Sequence, residues 1–124
     1  MTSVIEVLEG ARDLIARPNG WCRHAFIVES EAGVAYCPVG AIRETSNFTQ
    51  WEPKNDAYYG AMRYLRRAIP GQRMSIQQIF SYNDDPARIK DEIIAWFDAA
   101  IEVAKKEQEC HAGQQFSLSA CYDV

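Results

Sequence analysis

The stretch from Ile89 to Ala104 is the strongest constraint in the chain. Ile89, Ile93, Trp96, Phe97, Ala100 and Ala104 recur at intervals of three and four, and Ile94 and Ile101 widen the stripe. That spacing places them on one face of an α-helix, and a face so apolar must be covered by other elements. Asp84-Asp85-Pro86 precedes the stripe and reads as the helix start, with an Asp cap and Pro at the first helical position. The helix is expected to run to about Glu107.

Two more helices have the same signature. Over residues 3–17, Ser3 and Glu6 stand at capping-box spacing, and Val4, Val7, Leu8, Ala11, Leu14 and Ile15 share a face. Pro18-Asn19-Gly20 stops this helix. Over residues 56–69, Tyr58, Ala61, Met62, Leu65, Ala68 and Ile69 form one stripe, and Tyr59, Arg63, Arg66 and Arg67 the opposite one. Pro38 fits a first helical position, with Cys37 as N-cap, which predicts a short helix over Val39–Glu44. Ser75 is expected to cap a helical turn through Ile76, Ile79 and Phe80. Residues 46–55, with Trp51 and Pro53, read as a loop.

The β signals are weaker. Ala25–Val28 and Val34–Tyr36 flank a Gly-containing turn, which suggests a hairpin packed on the helices. Phe116, Leu118, Ala120 and Tyr122 alternate with polar residues or Cys121, so residues 110–124 read as a strand or a loose tail. The expectation is a mainly α fold: a small helical domain carrying a short β-hairpin or a small antiparallel sheet. A chain of 124 residues without a linker fits a single domain.

Composition narrows the function classes. Hydrophobic residues at 48% and charged residues at 24% argue for a packed globule rather than a disordered chain. No apolar run reaches the roughly 18 residues of a membrane span. The start, Met1-Thr2-Ser3-Val4-Ile5-Glu6, lacks the basic region of a secretory signal, so a cytoplasmic location is expected. A formal charge of −4 disfavours nucleic acid and anionic membrane as partners. Four cysteines, Cys22, Cys37, Cys110 and Cys121, allow three pairings of two bridges, and reduced thiols are the expected state.

Several motifs look familiar together. Trp21-Cys22, Cys37-x-x-Gly40-Ala41-Ile42, and Asn83-Asp84 before a long helix with Ala100-Ile101 resemble a family of short uncharacterised proteins from bacteria and their phages. The resemblance spans roughly residues 4–105. The family usually has Trp before the Asn-Asp pair, where this chain has Tyr82. It has no known activity, so the resemblance implies no catalytic residue, cofactor or partner.

Four groups of residues invite a chemical reading. Cys37 at a helix N-terminus is a candidate nucleophile, because free N–H groups and the helix dipole stabilise a thiolate. His24, brought opposite residues 36–38 by a hairpin centred near Ser30 or Glu31, is the candidate base. Against this, Tyr36, Val39 and Ala41-Ile42 make an apolar setting, in which burial raises a thiol pKa more than the dipole lowers it. Metal ligation by Cys22, His24, Cys37, Cys110 and His111 lacks the paired spacing of zinc sites, so no metal and no cofactor is expected. Asn83, Asp84 and Asp85 could hold a cation or act as a base, and Tyr82, Asn83 and Asp84 are candidate binding residues, but the group reads first as a helix cap. Arg63, Arg66, Arg67 and Arg73, with Tyr59, suit phosphate recognition, although a solvated helix face explains them equally. Trp51, flanked by Gln50 and Glu52, is a candidate anchor for a protein partner or a second copy, and Trp21 and Cys22 are candidate binding residues. Trp96 belongs to the core. The leading expectation is a small binding or accessory protein. A thiol enzyme using Cys37 and His24, and a phosphate or nucleic-acid binder using the arginines, are the alternatives.

Overall fold

A computed structural model describes residues 3–49, 55–68 and 76–113. Among these, five helices and one two-stranded antiparallel sheet follow in the order α1 (Val4–Ala16), β1 (Ile27–Ser30), β2 (Gly33–Tyr36), α2 (Pro38–Ser46), α3 (Asp56–Arg67), α4 (Ile76–Asp84) and α5 (Lys90–Gly113). No helix among the described residues is long and apolar enough to cross a membrane.

α1 is the hub, packed against α2, α3 and α5. It starts where the capping box predicts. Ser3 Oγ accepts from the Glu6 N–H at 3.1 Å, and the Glu6 carboxylate accepts from the Ser3 N–H at 2.9 Å. Val7, Leu8, Ala11 and Ile15 are then wholly buried. α5 covers them with Ile93, Phe97 and Ala100, also wholly buried. Ion pairs Arg12–Asp98, at 3.0 Å, and Glu9–Lys105, at 3.8 Å, border the α1–α5 contact. Trp96 is in the core, as its stripe position requires. Its indole N–H donates to the Leu65 carbonyl at 2.8 Å. That carbonyl belongs to the last turn of α3, where it also accepts the Ala68 N–H at 3.3 Å.

The start of α5 differs from expectation. Asp84 is the last residue of α4, not the cap of α5, which begins at Lys90. Asp85 and Pro86 form a turn instead. The Arg88 N–H donates to the Asp85 carbonyl, and the Ala87 N–H to the Asp85 side chain, both at 2.9 Å. Pro suits the second position of such a turn as well as it suits a helix start. Glu92 reaches back to the Ile89 N–H at 2.9 Å and starts the helix in place of Asp84. Ile89 therefore lies outside the core and is 57% exposed. α5 also continues past Glu107, so Cys110 and His111 have helical backbone. The strand expected over Phe116–Tyr122 lies outside the described residues, as do Trp51, Ile69, Arg73 and Ser75.

The hairpin pairs Ile27 with Tyr36, Val28 with Ala35, Glu29 with Val34 and Ser30 with Gly33. Gly33 has φ +123°, a conformation that only glycine adopts without strain. The hairpin packs on α1 and α2 through β2, but by its base rather than along its length. Ile27, Val28 and Val34 stay more than a third exposed, and only its base, at Tyr36, is buried.

Candidate functional site

Three segments distant in sequence meet at the hairpin base. The chain entering from α1 runs beside the end of β2: the Tyr36 N–H donates to the Gly20 carbonyl at 2.8 Å, and the Cys22 N–H to the Tyr36 carbonyl at 3.1 Å. The segment then turns around Cys37, whose N–H donates to the Phe26 carbonyl at 3.0 Å. This brings Phe26 down onto Gly40 in the first turn of α2. A Cβ on Gly40 would overlap the Phe26 carbonyl, so only glycine permits the approach.

The end of α4 supplies the third segment. Asn83 is 1% exposed and satisfies its side chain across the gap. Its carbonyl oxygen accepts from the Trp21 indole at 2.6 Å. Its amide donates to the Cys22 carbonyl at 3.1 Å and to Asp84 Oδ1 at 3.2 Å. The same Oδ1 accepts the backbone N–H of His24 at 2.9 Å. That bond helps to hold His24 at φ 63°, in the left-handed region that non-glycine residues rarely enter. The His24 Nδ1 lies 3.5 Å from Asp84 Oδ2. Tyr82 and Arg23 buttress the join. Tyr82 packs at a tilt against Trp96 at 4.5 Å between ring centroids, and the Arg23 guanidinium lies 4.4 Å over the Trp21 ring.

Between these segments lies a cleft of about 400 Å³, lined by His24, Ala25, Phe26, Cys37, Phe80 and Asp84. The Phe26 and Phe80 rings meet edge-on, 5.6 Å apart. Cys37 caps α2 as predicted, with its sulfur accepting the Gly40 N–H at 3.4 Å. Burial nevertheless pushes the Cys37 thiol up, against the N–H groups of Gly40 and Val39 that pull it down. Cys22 is pushed up to about 11, chiefly by burial and then by Cys37 and Asp84. Both thiols are therefore protonated near neutrality.

The structure thus gathers Trp21, Cys22, His24, Cys37, Asn83 and Asp84 around one join. Asp84 was expected as a cap, and Phe26 and Phe80 as apolar residues of the hairpin and α4. No local pattern marks Phe26 and Phe80 as cleft lining. Among the described residues, no group of three or more His, Cys, Asp or Glu is placed to hold a metal ion. The arginines lie elsewhere. Tyr59, Arg63 and Arg66 line a separate groove of about 500 Å³ along α3, together with Asp56. Arg67 turns away and pairs with Glu107 at 3.1 Å.

No curated protein and no solved structure matches the chain. A family model does match, over residues 1–103, a span that contains all three segments of the cleft. The chain belongs to that family, described as a family of unknown function (DUF6197).

Proposed function

We propose that this protein is a small non-enzymatic binding module and that the cleft at the hairpin base is its ligand seat. The observation that carries this reading is the buried Asn83, which ties Trp21 and Cys22 to Asp84 and so fixes the cleft before any ligand arrives. A preformed concave site with apolar walls and few polar groups is the usual form of a small-molecule pocket, and its size falls within the range of roughly 300–1,000 Å³. Mapping a neutral, cationic and anionic fragment set by backbone amide shifts tests it. The amides of His24, Ala25 and Phe26 are expected to move first. Shifts confined to Tyr59, Arg63 and Arg66 would overturn the reading in favour of the phosphate binder. The same reading takes residues 1–124 as one domain. It keeps a cytoplasmic, bacterial or phage setting, supported by the motif resemblance. It leaves a protein partner or second copy as the wider context.

A second reading has its own observation. Cys37 at the α2 N-terminus shares the cleft with His24, and Asp84 stands behind His24, which is the order of a thiol, a base and an orienting carboxylate. The protonated state of the thiol opposes it. Alkylation across pH, with Cys37→Ser as control, separates the two. Cys37 is expected to react slowly near neutrality, with an apparent pKa above the free value of about 8.5. Fast modification near pH 7 would make the thiol enzyme the better reading.

A further inference from the structure

We propose that the cleft takes an organic ammonium ion, a primary or methylated amine on an apolar stem, with its charge on Asp84 and its stem against Phe26 and Phe80. This rests on the cleft being a ligand seat. The first argument is charge. Asp84 and His24 are the titratable groups of the lining besides the Cys37 thiol, so the lining itself holds a carboxylate and no permanent cation, the Arg43 guanidinium over the Phe26 ring not being part of it. Arg88, nearby in sequence, is directed to Asp85 and Glu92, and the Arg23 guanidinium bonds the Arg88 carbonyl. Oδ1 of Asp84 is taken by two neutral donors, the His24 N–H and the Asn83 amide. Among the described residues, Oδ2 faces the His24 ring nitrogen at 3.5 Å, too long for a good hydrogen bond.

The second argument is position. Asp84 is the final residue of α4, where the helix dipole presents negative potential. A carboxylate there is unfavourable and gains from an added cation. The third is the walls. A neutral ligand that filled the cleft would strip water from Asp84 without replacing it, and an anion would be repelled. A cation on an apolar stem satisfies the carboxylate and covers the two rings. Ring faces accept such charge, as the Arg43 guanidinium 4.5 Å over Phe26 already shows.

Such a cation could be a free amine or the lysine side chain of a protein. Three probes distinguish these at pH 7.5, read by the amide shift of His24. Phenethylammonium is the free amine, Nα-acetyl-lysine methylamide is the lysine mimic, and 2-phenylethanol has the aromatic stem without charge. Phenethylammonium or the lysine mimic is expected to bind at least about tenfold more tightly than the alcohol. The tighter of the two identifies the source. Asp84→Asn should abolish the advantage while the amide spectrum stays dispersed. Equal or tighter binding of 2-phenylethanol to the natural chain would overturn the ammonium inference and leave the ligand seat standing. That comparison needs no variant, so it holds even if Asp84→Asn fails to fold. No shift at the cleft with any probe would remove both.

Discussion

Phe97→Ala is expected to lower the unfolding free energy by about 3–5 kcal/mol, the range for removing a large buried aromatic side chain. Phe97 is wholly buried at the centre of the α5 stripe, and α5 packs on both α1 and α3. The deletion removes the ring from the core and leaves a cavity that rigid helices close only in part. A domain of this size has roughly 5–15 kcal/mol in total, so the variant should unfold at much lower urea. A loss under about 1 kcal/mol in a urea titration would place α5 outside the core.

Gly40→Ala should lower stability by about 3 kcal/mol, the upper end of what overpacking usually does. The sign is informative. Gly40 is inside α2, and glycine to alanine inside a helix normally stabilises by about 0.5–1 kcal/mol. Here the new methyl meets the Phe26 backbone, which cannot rotate away as a side chain can. Either the hairpin base lifts or α2 shifts, and both open the cleft between Phe26 and Cys37. Gly60→Ala is the matched control, because the nearest atoms its new methyl meets belong to the Val4 side chain rather than to backbone. Urea unfolding of the two variants should differ by more than about 2 kcal/mol. Equal stability would mean that the hairpin base does not rest on Gly40.

The helices were legible where their signals are local. The Ser3–Glu6 box, the Cys37-Pro38 start of α2 and the α3 stripe each lie within one or two turns of chain, and each forms as the sequence predicts. The Asp-Pro signal before α5 was ambiguous, because the same pair starts a helix or a turn. A contact 60 residues away accompanies the outcome: the Asp84 carboxylate accepts the His24 N–H, and α4 ends there. The cleft was half legible for the same reason. Hairpin register brings His24 near Cys37 from sequence alone. Nothing in the pattern of α4 says that Phe80, Asn83 and Asp84 will lie against residues 21–26. Arg67 escaped in the same way, since its partner Glu107 stands 40 residues on.

The cleft exists only if residues 21–26, the start of α2 and the end of α4 are tied together, and the Trp21–Asn83 hydrogen bond is the tie between side chains of the first and the last. The indole N–H of Trp21 reports it directly by NMR. Its hydrogen exchange should be slowed, and it should show cross-relaxation to the Asn83 side-chain amide. Cross-relaxation between the Phe26 and Phe80 rings should accompany it. The Trp96 indole, bonded to the Leu65 carbonyl in the core, is the internal standard for a protected N–H. A Trp21 indole that exchanges as freely as an exposed one, in a sample whose Trp96 indole is protected, would contradict the assembled cleft while leaving the helical core intact.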